Sequence, residues 1–303
     1  MKQLKTTINL LCIAICISLS SCGNDEPSLK DAINEEFTDG AQPELEISEE
    51  ILDEIISGIP SPIEMTSLIK MSGASYNKAI VNDATNIDKY SEPKKKAIGL
   101  GIYGADLGYM NIYEKSFAAL DYLNNIRKLT DDLKIGQFFD FETLQRLSKS
   151  SKNVDSLIAI STENFSKMDF YLREQKRGNI SVLIVTGTWM EGLYLATQIA
   201  KSAKSEELNE RIGEQKITLD NIMIILSIYK NDPFFAEIYS QMENLKKVFD
   251  KVEIQYTYGE PIKKEVDGKL IIEDNSSSTI KLTPAILTEI TQEIEKIRTG
   301  FIN

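Results

Sequence analysis

Two acidic residues sit where acids are costly. Asp106 lies beside Tyr103, Tyr109 and Met110, and Glu191 lies beside Trp189, Met190 and Tyr194. An acid in apolar, aromatic sequence is either buried against a partner or aimed into a cavity. If both faced one cavity, the two carboxylates and the rings of Tyr103, Tyr109, Trp189 and Tyr194 would make a candidate ligand-binding site. The rings could stack on a sugar or an organic cation. The acids could hydrogen-bond hydroxyls or hold a cation. The competing reading pairs each acid with a lysine, an arginine or a helix N-terminus. Paired carboxylates also carry out glycoside hydrolysis, but nothing in the spacing of these two points to it.

Other chemistries are excluded or unsupported. The chain has no histidine, which removes the commonest general base and metal ligand, and with it Ser-His-Asp and Cys-His machinery. Its cysteines are Cys12, Cys16 and Cys22, so the body of the chain offers no thiolate for catalysis or metal binding. No catalytic residue, metal site or cofactor is assigned. Gly99, Gly101 and Gly104 satisfy the dinucleotide pattern G-x-G-x-x-G, which needs a strand before it and βαβ alternation after it. Pro93 to Ile98 reads instead as a helix start. Ala97, Gly101, Gly104, Gly108 and Asn111 then form a small-residue stripe at helical spacing, beside Leu100, Tyr103, Leu107 and Met110. That pattern predicts a central helix packed closely on its small side. The segment from Asn82 to Asp88 lacks the glycine and late glutamate of a calcium loop and reads as a solvated loop. Lys94 to Lys96 reads as a solvated helix start.

The N-terminus carries the most specific signal. Lys2 and Lys5 precede a mostly apolar run from Ile8 to Leu19, too short for a spanning helix and typical of a signal peptide. Leu19-Ser20-Ser21-Cys22 follows and resembles the lipobox of bacterial lipoproteins. The resemblance implies cleavage before Cys22, diacylglyceryl transfer to its thiol, and stable anchoring by two or three acyl chains. Gly23-Asn24-Asp25-Glu26 loosely resembles the surface-export signal of Bacteroidetes-type lipoproteins. The expected location is the outer membrane, on the cell surface or the periplasmic face. Loss of residues 1–21 takes the net charge from −12 to −14. So acidic a chain repels phosphate backbones, so no nucleic-acid partner is expected, and its contact with the membrane must come through lipid. Residues 22–46 are acidic and poor in apolar side chains, and read as a flexible tether.

The elements that would position Asp106 and Glu191 are helices. Periodicity of 3.6 residues dominates from Ile47 onward. Ser48 and the Ser61-Pro62-Ile63-Glu64 capping box mark helix starts. A long helical stretch runs from about Pro93 to Leu133, bent near Glu114 to Ser116. Further helices cover about 141–150, 154–176 and 180–203, with two more suggested around Leu208 and from Ile217 to Tyr229. Asp232-Pro233 opens another, and Thr283-Pro284 caps the last, which reaches about Arg298. Between them Ile254, Tyr256 and Tyr258 alternate with polar residues, Asp267-Gly268 gives a hairpin signal, and Thr279 to Leu282 offers a further strand. Gly101-Ile102-Tyr103 with Leu107 parallels Gly187-Thr188-Trp189 with Leu193 at an offset of 86 residues, a hint of duplication. The expected fold is mainly α, a multi-helix bundle or helical-hairpin array with a small β-hairpin near the C-terminus, forming one domain over residues 47–303.

Ile59-Pro60-Ser61-Pro62, the run from Gly101 to Leu107, and Gly187 to Tyr194 resemble an uncharacterised family of lipid-anchored, mainly helical Bacteroidetes-type lipoproteins. The resemblance implies a helical body at the cell envelope and carries no catalytic residues. The leading expectation is a lipid-anchored envelope protein of unknown activity that binds a small molecule or an envelope protein without catalysis. The alternatives are a carboxylate-dependent glycan hydrolase and a structural subunit of an envelope complex.

Overall fold

The central element is a helix that is apolar on every side. The computed structural model describes residues 49–59, 69–70, 72–147, 154–259, 261–266, 269–273 and 277–302. The signal segment, Cys22, the tether, Ser48 and the Ser61–Glu64 capping box lie outside the described residues. The helices are α1 (Glu49–Ser57), α2 (Pro93–Ile112), α3 (Ser116–Asp132), α4 (Phe141–Leu147), α5 (Val154–Glu174), α6 (Gly178–Ala200), α7 (Glu206–Ser227), α8 (Pro233–Phe249) and α9 (Pro284–Ile302). Strands β1 (Glu253–Thr257), β2 (Ile262–Val266), β3 (Lys269–Glu273) and β4 (Ser277–Lys281) lie between α8 and α9. The fold is mainly α with a small antiparallel ribbon near the C-terminus, as the sequence predicts.

Glu191 is the one charged residue of α6. By length and composition α6 could cross a membrane, yet 94% of its most apolar window is buried inside the protein, so it is a core helix. It packs against α2, α5, α7 and α9. Its contact with α2 is a backbone-to-backbone approach through glycine. A β carbon on Gly101 would stand 2.3 Å from the Ile184 carbonyl oxygen, and one on Gly187 would stand 2.5 Å from that of Ile98. The relation is reciprocal, as at a two-fold axis: each glycine meets the carbonyl three residues before the other. The offset of 86 residues seen in the sequence is therefore two matched halves of one helix crossing. Gly104 departs from the predicted stripe, because a β carbon there would meet nothing within 4 Å.

Local signals explain most helix ends. The Asp232 carboxylate accepts from the Phe234 amide at 2.9 Å and Pro233 fills the first helical position. Ser205 caps α7 by accepting from the Leu208 amide. The long stretch after Pro93 breaks at Tyr113 to Lys115, where Glu114 takes the left-handed conformation at φ 55°. The two helices expected between Leu208 and Tyr229 are one helix, α7, which runs through Gly213, where Ile280 packs against the glycine. The segment at 82–91 differs too. It is built on a 3₁₀ turn, Ala84–Lys89, and Asn82 is buried. The Lys94–Lys96 start is held rather than free: Lys94 pairs with Asp232, and Lys96 with Asp132 at 2.7 Å.

The ribbon consists of two ladders. Glu253 to Thr257 pair with Lys281 to Ser277, and Ile262 to Val266 with Glu273 to Lys269. The Asp267-Gly268 turn lies outside the described residues. At the base, Ile280 packs on Gly213 of α7.

The glycine crossing generates a direct test. Gly101→Leu and Gly187→Ala should each lower the melting temperature by several degrees, since overpacking costs about 1–3 kcal/mol. Gly104→Ala should leave it unchanged or raise it, because helix propensity improves by roughly 1 kcal/mol. Thermal unfolding followed by circular dichroism reads both. An unchanged melting temperature for Gly101→Leu would contradict the close approach.

Candidate functional site

Just beyond the glycine contact, the same crossing brings Asp106 of α2 to Glu191 of α6. Both are fully buried, at 0% exposure. The third member is Arg298 of α9. Its Nε donates to Glu191 Oε2 at 2.7 Å and its Nη2 to Glu191 Oε1 at 2.8 Å, a two-pronged ion pair. Nη2 also donates to the Ile80 carbonyl at 3.2 Å. The guanidinium lies 4.0 Å from the centre of the Tyr194 ring, which supplies a cation–π contact.

Asp106 is held from the other side. Its Oδ2 accepts from the Asn82 amide at 3.1 Å. Its Oδ1 faces no hydrogen-bond donor. Burial, and then the charge of Glu191, push the Asp106 carboxyl well above the usual carboxylate range. Burial also pushes Glu191 up, opposed there by the charge and hydrogen bonds of Arg298. The two carboxyls lie within hydrogen-bonding reach of one another. One proton between them resolves the arrangement. A proton kept on Asp106 leaves one carboxylate against one guanidinium. Burial disfavours the charge on Arg298, but Glu191 more than offsets it, so its pKa is raised.

Around this cluster the polar groups of one residue are all used. The Asn82 amide binds Asp106, its carbonyl accepts from the Tyr122 hydroxyl, its Nδ2 donates to Tyr90 Oη at 3.0 Å, and its Oδ1 accepts from Asn86 at 2.7 Å. Tyr103 donates to the Asp83 carbonyl at 3.1 Å, and Tyr109 accepts from the Asn77 amide at 2.9 Å. The rings of Tyr90, Tyr103 and Tyr122 meet edge to face, at 5.8 and 5.6 Å between centres. The 77–90 segment is thus strapped across α2, α3 and α9 by a buried polar network.

Of the six candidate ligand-binding residues, Asp106 and Glu191 meet directly and Tyr194 joins them through Arg298. Tyr103 and Tyr109 hold the strap. Trp189 faces another way: its indole N–H donates to Gln215 Oε1 of α7 at 2.9 Å. Tyr103, Tyr109 and Trp189 are at 0% exposure and Tyr194 at 8%. Cys22 lies outside the described residues. Among the described residues no cluster of three or more acids, cysteines or histidines is placed to hold a metal. Sequence reasoning missed Arg298, Asn82, Tyr90 and Tyr122. Arg298 did leave a signal. It follows Ile290, Ile294 and Ile297 on the apolar stripe of α9, where a cation needs a buried partner.

A cleft of about 310 Å³ lies beside Tyr90, lined by residues of α2, α8 and the end of α9. No protein-family model, curated protein or solved structure matches the chain.

Substitutions should separate the three charges. Arg298→Met leaves Glu191 buried and unpaired and should destabilise by about 3–5 kcal/mol. Asp106→Asn keeps a neutral donor and should cost less than about 1 kcal/mol near neutral pH. Equilibrium denaturation measures both, and equal losses would contradict the shared proton.

The pH dependence has a defined sign. A raised native pKa means that the folded protein keeps a proton the unfolded chain releases. The contribution of Asp106 is therefore complete below its ordinary pKa, about 4. It falls as pH rises towards the raised value, by up to about 1.4 kcal/mol per pH unit. Asp106→Asn should lack that fall. Parallel stability profiles for the two proteins from mildly acidic to neutral pH would contradict it.

Proposed function

We propose that the chain is a lipid-anchored cell-envelope protein, held at the outer membrane through Cys22, whose helical domain binds a ligand or a protein partner without catalysing a reaction. The observation that supports the binding half is the cleft of about 310 Å³ beside Tyr90, with Phe234, Ile238, Phe301 and two lysines in its lining, while the closed Asp106–Glu191–Arg298 cluster is no ligand site and counts against the catalytic alternative. Both carboxyls are spent on one another and on a guanidinium, out of contact with water. The glycan-hydrolase reading needs two carboxyls on opposite sides of a scissile bond, about 5–9.5 Å apart, beside an open cleft. Two carboxyls in mutual contact leave no space for a sugar between them.

The anchoring half rests on Leu19-Ser20-Ser21-Cys22 and the apolar run before it. The likeness to helical Bacteroidetes-type lipoproteins points the same way and favours the cell surface or the periplasmic face. A structural subunit of an envelope complex is the second reading. It is favoured by Tyr256, Tyr258 and Ile262 of the ribbon, which are 58, 88 and 41% exposed.

Metabolic labelling with an alkyne analogue of palmitate tests the anchor. The wild-type chain should take up label and sediment with membranes. Cys22→Ala should take up none. Label on the Cys22→Ala chain, or an unlabelled wild type, would overturn the reading.

A further inference from the structure

The cleft beside Tyr90 combines features that point to a ligand. Its volume of about 310 Å³ is at the small end of the range for small-molecule sites, roughly 300–1,000 Å³. Tyr90, Phe234, Ile238 and Phe301 give it apolar walls, and it carries Lys89 and Lys95 as cations.

Lys95 stands out against its neighbours. Lys94 is paired with Asp232 and Lys96 with Asp132, whereas Lys95 makes no ion pair among the described residues. Lys89 donates one hydrogen bond, to the Ile302 carbonyl at 2.9 Å, and keeps two N–H groups for another acceptor. In a chain of net charge −12, two lysines with spare donors outnumber the one acid of this recess, Glu237, and are positioned for an anion.

The remaining polar side chains of the cleft are Glu237, an acceptor, and Gln241. Gln241 donates weakly to Glu237 at 3.4 Å, and its Oε1 is buried with no partner. A ligand donor, such as a hydroxyl, would find an acceptor in the Glu237 carboxylate. The rim is kept open by Gly300, where a β carbon would meet nothing within 4 Å. The floor is rigid. Tyr90 is 3% exposed, is locked by Asn82, and lies so close over Gly99 that a β carbon there would stand 2.6 Å from its ring.

We propose that this cleft binds a small hydroxy acid with an aromatic or apolar body, its carboxylate on Lys89 and Lys95, its hydroxyl on Glu237, and its body between Phe234 and Phe301. This deepens, and rests on, the reading of the domain as a binding module. Phenyllactate is the probe, and phenyllactamide is its neutral counterpart. The full chain in nanodiscs, with empty nanodiscs as the blank, is titrated and followed by saturation-transfer NMR.

Saturable phenyllactate binding is expected, weaker by about tenfold or more for phenyllactamide and for Lys95→Glu, as for loss of a charge-assisted contact. Gly300→Trp should abolish it by filling the rim while the melting temperature is kept. An absence of saturable binding by the wild type would overturn the assignment. So would undiminished binding by Gly300→Trp. The second result would place the ligand elsewhere and leave the binding-module reading standing. Neither result touches anchoring through Cys22, which the palmitate label reports separately.

Discussion

The guanidinium of Arg298 stays charged inside the protein, and much of the architecture answers to that requirement. It is drawn in along the apolar face of α9, where Ile290, Ile294 and Ile297 commit the helix to the core. Once there it needs an anion, which α6 supplies as Glu191, the single charge on a helix otherwise free of them. A second acid, Asp106, would overcharge the cavity unless one carboxyl kept its proton. A neutral set of one cation, one carboxylate and one carboxylic acid is the arrangement that low-dielectric surroundings favour. Its formation ties α2, α6 and α9 together at one point.

The glycine crossing makes that point reachable. Gly101 and Gly187 let the backbones of α2 and α6 approach to contact, which brings the carboxyls a little further along each helix together. A buried ion pair is weak evidence for stability, because well-packed apolar residues often serve as well. Its value here lies in position. Arg298 also binds the Ile80 carbonyl and Asp106 binds the Asn82 amide, so the cluster fixes the 77–90 strap as well as the helices. The strap carries Tyr90, which is at once part of the buried network and the floor of the cleft. Core electrostatics and the surface offered to a ligand are joined through this one side chain.

The mainly helical fold, the C-terminal ribbon and the central role of α2 were legible in the sequence, because each rests on local periodicity or on turn and cap chemistry. Asp232-Pro233 and Thr283-Pro284 announce helix starts by interactions spanning a few residues. The site was legible only by half. Asp106 and Glu191 are conspicuous because acids are rare in such apolar surroundings, and their meeting follows from the matched glycine motifs. Their partner was not announced, since Arg298 lies 107 residues beyond Glu191 and no local rule links them. The strap misled for a related reason. Asn82-Asp83 has the composition of a solvated loop, and contacts from Tyr122 and Asp106 on other elements, with Tyr90 at the strap's far end, make it a buried hub.

The protonation state of Asp106 is the claim on which the rest turns. A buried carboxylic acid has a C=O stretch that is separate from the bands of carboxylates, so the infrared difference spectrum between the wild-type protein and Asp106→Asn at neutral pH reads it directly. The shared-proton arrangement predicts a protonated-carboxyl band in the wild type that the Asp106→Asn variant lacks. A spectrum without that band would mean that both acids are ionised beside Arg298, and would contradict the neutral cluster at the centre of the fold.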